Sequence, residues 1–161
     1  MSRLETTLTL PDPDATTALA HRIAPLLGAG DVILLQGPIG AGKSHFARAL
    51  IQARLGRAED VPSPTFTLVQ TYHPDGPEVW HADLYRLTDP AEVDELGLTQ
   101  AFDEAIVLVE WPDRLGRLRP AKALALDLTP EATGDVRHAQ LSADDPRWGA
   151  VFQALSGWPD E

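Results

Sequence analysis

Eight consecutive residues, Gly37-Pro38-Ile39-Gly40-Ala41-Gly42-Lys43-Ser44, carry the clearest chemistry in the sequence. Their pattern is that of a Walker A loop. Glycines let successive backbone N–H groups turn toward a polyphosphate, and the positive end of the following helix adds to that field. Lys43 is placed to reach the β- and γ-phosphates, and the Ser44 hydroxyl to ligate Mg²⁺. By chance the pattern arises in roughly one chain of this length in a few hundred. Context therefore decides, and it favours the loop: an apolar run, Asp31 to Gln36, precedes it and a helical stretch from Lys43 to about Leu55 follows. The expected ligand is ATP with Mg²⁺.

Such a loop needs an acid near the metal and a group to orient the nucleophile. Two acids end apolar strand-like runs: Glu110 after Ile106-Val107-Leu108-Val109, and Asp83 after Val79-Trp80-His81-Ala82. Ligands of open α/β sheets lie beyond the carboxyl ends of the parallel strands, which favours Glu110 as the acid that holds Mg²⁺ over an ordinary solvated acid. Asp83 either positions water or caps a turn. Thr65, in Ser63-Pro64-Thr65-Phe66, either offers its hydroxyl to the γ-phosphate or stiffens a turn. Arg114, Arg117 and Arg119 form a basic run that reads as an exposed helix surface or as a phosphate-clamping lid. The five histidines show no metal-ligand spacing and receive no role. Asp94-Glu95-Leu96-Gly97 follows a helix start and no Asn-Lys-x-Asp exists, which excludes a GTPase.

The elements that must position these residues are legible in outline. Leu4 to Leu10 alternates as a strand, and Asp12 or Asp14 caps a helix to Leu27 that Pro25 shortens. Phe66 to Tyr72 and Glu78 to Tyr85 flank a Pro74-Asp75-Gly76-Pro77 turn as a hairpin. Asp89-Pro90-Ala91-Glu92 opens a helix ending near Gly97. Ala105 to Glu110 is a strand buried on both faces. Ala123 to Leu128 and Asp135 to Leu141 form a late strand pair, and Trp148 to Leu155 a final helix. Helix and strand alternate throughout, predicting one α/β domain over residues 1–161 with a mixed sheet.

Whole-chain properties bound the partners. The 161 residues carry a formal net charge of −11 with only two lysines, Lys43 and Lys122, which argues against direct gripping of nucleic acid. There is no cysteine, and no apolar run approaches a membrane span. No signal-like N-terminal core is present, so the expected location is cytoplasmic.

Taken in order, several segments resemble the TsaE (YjeE) family, ATPases of bacterial tRNA threonylcarbamoyladenosine synthesis. They are Gly40-Ala41-Gly42-Lys43-Ser44, Ser63-Pro64-Thr65-Phe66-Thr67-Leu68-Val69, His81-Ala82-Asp83-Leu84-Tyr85-Arg86-Leu87 with Asp89-Pro90-Ala91-Glu92, and Leu108-Val109-Glu110-Trp111-Pro112. They span about residues 10 to 118, and beyond residue 120 the likeness fades. The family usually has Asp-Leu after the first loop glycine and Thr after the lysine, where Pro38-Ile39 and Ser44 stand here. Serine is chemically adequate for Mg²⁺, and position 38 need not donate to phosphate.

The resemblance implies a P-loop NTPase fold of three layers, α/β/α, with a mixed, mainly parallel sheet. It implies that Ser44 and Glu110 hold Mg²⁺, that Asp83 lies by the γ-phosphate end, and that Thr65 sits in a switch-like loop. Trp111 would pack near the site, the segment Leu10 to Asp14 would approach adenine, and Arg137 would match a basic residue that contacts nucleotide. The implied activity is slow ATP hydrolysis acting on a TsaB–TsaD complex that modifies adenosine 37 of ANN-decoding tRNAs. The tRNA would be met only through that complex. Two other readings remain open: a small-molecule kinase with Asp83 as base and the arginine run as lid, and a binding module that never hydrolyses.

Overall fold

The structure, a computed structural model, describes residues 3–38, 40–56, 69–87, 89, 91–132 and 134–158. Ile39 and Thr65 lie outside the described residues, as does the segment 57–68 between the loop helix and the hairpin.

Two apolar runs occupy the middle of the sheet because nothing in them tolerates water. Val32–Gln36 (β2) and Ile106–Glu110 (β5) pair in parallel, and every residue of β5 is buried. Around them lie Leu4–Leu10 (β1), Val69–Tyr72 (β3), Val79–Asp83 (β4), Leu124–Pro130 (β6) and Arg137–Ala143 (β7). The spatial order is β1-β7-β6-β2-β5-β4-β3. β6, β2, β5 and β4 run parallel, whereas β7 opposes both its neighbours and β3 opposes β4. β1, antiparallel to β7, therefore shares the direction of the central four. The sheet is mixed with most strands running one way, and helices on both faces give the expected three-layer α/β/α architecture.

Alternation along β2 and β5 shows why both faces need helices. Ile33, Leu35 and Leu108 pack into one core with Phe46, Leu50 and Trp148. Val32, Leu34, Val107 and Val109 pack into a second core with Leu98, Phe102 and Leu115. The first core lies under Pro13–Ile23 (α1) and Lys43–Leu55 (α2), with Gly149–Ala154 (α5) at its edge; the second lies under Ala91–Glu95 (α3) and Leu98–Glu104 (α4). Fully burying each such aliphatic side chain contributes about 1.5–3 kcal/mol, so the two cores fix the strand register on which the site depends.

The local signals explain most of the boundaries. Asp12 caps α1 by accepting from Ala15 N at 2.9 Å, and Pro13 sits in its first turn. Pro25 ends it: the α-helix stops at Ile23 and a 3-10 turn covers Ala24–Leu26. Arg54 then reaches across to donate to the Ala24 and Leu27 carbonyls at 3.0 and 3.2 Å, satisfying acceptors that the broken helix exposes. α2 closes at Gly56, whose φ of 75° is the left-handed cap expected of glycine.

Other boundaries depart from expectation, the late strands ending two residues further on, at Pro130 and Ala143. The strand expected over Glu78 to Tyr85 is Val79–Asp83, because the Asp83 carboxylate accepts from Tyr85 N at 3.0 Å and folds the chain into a turn. The helix opened by Asp89 ends at Glu95, and a further helix follows directly at Leu98 after Gly97 turns the chain with φ 85°. The last helix begins as a 3-10 turn over Pro146–Trp148, capped by Asp145. Among the described residues no helix is long and apolar enough to cross a membrane.

Candidate functional site

The carboxyl ends of β2, β4 and β5 meet at one edge of the sheet. Parallel pairing aligns Asp83 with Glu110, and Glu110 in turn with Leu35, two residues before the loop begins. Since side chains alternate along a strand, His81, Asp83, Leu108 and Glu110 all face the side covered by α2. The loop delivers Ser44 to that side at the first turn of α2. Sheet register and helix start thus bring together groups distant in sequence.

The loop itself bends at glycines that need unusual backbone angles. Gly40 and Gly42 have φ of 86° and 103°. Gly37 combines φ 142° with close packing: a methyl group there would overlap the Leu128 carbonyl oxygen. Ala41 N donates to Pro38 O at 3.1 Å, tightening the turn. Lys43 is buried, its ammonium donating to the Gly37 carbonyl and lying 3.5 Å from the centre of the Trp111 ring.

Ser44 Oγ donates to the Glu110 carboxylate, lying 3.2 Å from Oε1 and 3.1 Å from Oε2. A hydroxyl and a carboxylate thereby converge at the floor of a cavity of about 520 Å³, with Lys43, Asp83, Tyr85 and Trp111 in its walls. Hard oxygen donors of this kind suit Mg²⁺. Trp111 is the one described non-glycine residue with positive φ, at 60°. That left-handed turn immediately after β5 swings its ring back over Lys43, with Tyr85 tilted against it at 4.9 Å between centroids. A second cavity, of about 190 Å³, shares Gly42 and His45 with the first and is walled by Pro13, Thr16 and Arg137. The segment expected to approach adenine thus reaches the loop through Pro13. Arg137 Nη2 donates to Gly40 O at 3.2 Å, tying the late strand pair to the loop.

The site's charges disturb one another. Burial pulls the Lys43 ammonium below the ordinary lysine value, while Glu110, Asp83 and Asp113 pull it back up. Burial, with the Glu110 charge adding, raises Asp83 above the ordinary aspartate value, against the opposing effects of Tyr85 N–H, His81 and Lys43. The folded protein consequently holds the Asp83 proton more tightly than the unfolded chain. Stability is lost as pH rises through the folded value, and the ionised carboxylate is a burden at neutral pH. Asp83→Asn keeps the acceptor for Tyr85 N and removes that burden. It should raise the neutral-pH Tm by about 2 °C, a gain that fades as pH falls toward the unfolded aspartate value. Thermal melts across that range check it, and a lower Tm at neutral pH would refute it.

Of the residues singled out in the sequence, Gly37, Pro38, Gly40, Ala41, Gly42, Lys43, Ser44, Asp83, Glu110, Trp111 and Arg137 gather on or beside the loop. Arg114, Arg117 and Arg119 do not line the main cavity; the first two are exposed on a 3-10 segment, and Arg119 donates to Gln36 Oε1 at 3.3 Å. Two histidines left without a role are engaged. His45 Nε2 lies 2.8 Å from Thr17 Oγ1 and 3.2 Å from Pro13 O, and His81 Nε2 lies 2.7 Å from Glu110 Oε2. The two-residue spacing of His81 and Asp83 on one strand was the signal available for the latter.

Known proteins resemble this chain in sequence and in fold. A family model described as threonylcarbamoyl adenosine biosynthesis protein TsaE matches residues 10–139. The tRNA threonylcarbamoyladenosine biosynthesis protein TsaE of Rickettsia felis is 36% identical over 121 residues, covering 75% of this chain and 71% of that one. Its namesake in Mycobacterium bovis is 34% identical over 152 residues, covering 89% and 87%. The crystal structure of Bacillus subtilis YdiB superposes with a TM-score of 0.78 at 27% identity, covering 97% of each chain.

Proposed function

The chain belongs to the TsaE family of tRNA threonylcarbamoyladenosine biosynthesis, and from that premise we propose that it is a Mg²⁺-dependent ATPase acting on a TsaB–TsaD complex. The observation that carries the reading is the convergence of Ser44 Oγ and both Glu110 oxygens within 3.2 Å, next to a buried lysine. Ser44 and Glu110 would hold Mg²⁺, which when bound neutralises phosphate charge and polarises the terminal phosphoryl group. The Gly37 to Ser44 backbone, Ile39 included, would cradle the phosphates. Lys43 would leave the Gly37 carbonyl and the Trp111 face to pair with β- and γ-oxygens.

Asp83, ionised above its raised pKa, would accept the proton of the attacking water or orient it. Thr65 would sense the γ-phosphate. Trp111 would shield the site from bulk water, and Arg137 would steady the loop near the nucleotide. Turnover would stay slow until a partner docks and completes the site. The net charge of −11 leaves tRNA binding to the complex and not to this subunit.

The test is phosphate release from ATP, alone and with the TsaB–TsaD pair, for wild type and Glu110→Ala. Slow basal release, stimulation by the pair, and loss of both in Glu110→Ala are expected. Absence of stimulation together with absence of a stable complex would defeat the assignment. A phosphorylated small molecule made without partners would replace it with a kinase.

A further inference from the structure

A buried polar group remains outside that account. His81 is 1% exposed on β4, facing the same side as Asp83 and Glu110. Its Nε2 lies 2.7 Å from Glu110 Oε2, and its Nδ1 is buried without a hydrogen-bond partner among the described residues. A carboxylate oxygen can only accept, so Nε2 carries the proton and donates. Glu110 is 2% exposed. The terminal torsion of a glutamate is broad and two-fold, and burial alone does not set it. Two donors do: Ser44 Oγ bridges both oxygens, and His81 engages Oε2 alone. Oε1 is left with accepting capacity to spare.

We propose that His81 is a positioning residue that, by donating from Nε2 to Oε2, locks the Glu110 carboxylate so that Oε1 stands beside Ser44 as a magnesium ligand. The inference rests on the reading above that Glu110 holds Mg²⁺. Partners that orient a metal-binding carboxylate carry about 10- to 100-fold in metal affinity. A histidine that merely fills the core would instead affect stability and all ligand binding alike.

The experiment measures ADP affinity by calorimetry with saturating Mg²⁺ and again in EDTA, for wild type, Glu110→Gln, His81→Gln and His81→Asn. The ratio of the two affinities is the magnesium-dependent gain. Glutamine can place its amide N–H where Nε2 stands; asparagine is one carbon too short. His81→Asn is expected to cut the gain about 10-fold or more with EDTA affinity unchanged, and His81→Gln to restore most of it. The proposal is overturned if His81→Asn keeps the gain that Glu110→Gln loses. It is equally overturned if His81→Asn weakens ADP by the same factor with and without Mg²⁺. Should Glu110→Gln itself retain the full gain, the magnesium role of Glu110 fails first and takes His81 with it. If His81→Asn does not yield folded protein, His81→Met, of similar bulk and without a donor, replaces it under the same criteria.

Discussion

Lys43→Ala is expected to lower ATP turnover about 100- to 1,000-fold, the range for losing one preorganised donor to developing charge. Lys43 is buried among Glu110, Asp83 and Asp113, all of which act on its charge. Without the ammonium those carboxylates face a triphosphate with less to offset them, so both binding and reaction suffer. The ammonium rests on a carbonyl and a ring face in the free protein, contacts weak enough to exchange for phosphate oxygens. Steady-state phosphate release at saturating ATP measures the effect. A Tm near that of wild type shows that chemistry and not folding was lost. Turnover within about 5-fold of wild type would contradict the assigned role, because a single charged hydrogen bond is worth more than that.

Gly37→Ala is expected to destabilise the protein by about 3 kcal/mol, lowering the Tm by about 10 °C. Two costs act together. A φ of 142° is a conformation that alanine rarely adopts, and its methyl group would meet the Leu128 carbonyl of β6. The obstacle is backbone within the sheet, not the end of a flexible side chain, so the strain has no cheap outlet. Relief requires the loop to lift, which also moves the carbonyl that holds Lys43. Thermal melts of the variant decide the matter; an unchanged Tm would show that β6 yields more easily than its pairing with β2 and β7 suggests.

The sequence made the sheet centre legible because β2 and β5 carry no polar residue before their ends, a pattern only double burial explains. The loop helix was equally plain, framed by glycines on both sides. α4 was not: Gly97 reads as a stop, and the few residues after it are too few to display a periodic face. Asp83 shows a different limit. Its two readings, turn cap or water-orienting acid, were posed as alternatives, yet its carboxylate accepts from Tyr85 N while also lining the cavity. His81 was passed over because its one signal, the two-residue spacing from Asp83, indicates a shared strand face but no partner. Only the parallel register, which sets it diagonally before Glu110, discloses its partner.

The placement of β1 has a consequence for how the chain assembles. Among the described residues its one strand neighbour is β7, with Leu4 opposite Ala143 and Leu10 opposite Arg137. On a ribosome, β1 emerges more than a hundred residues before its hydrogen-bonding partner β7. The described residues that line the main cavity all lie at or before Trp111, well before β7 is made. Vectorial synthesis therefore favours a nascent state whose central sheet has begun to form while β1 remains unpaired. Closure of that edge is the long-range step that slows such topologies, and it is where a stalled chain offers an open strand to a stranger.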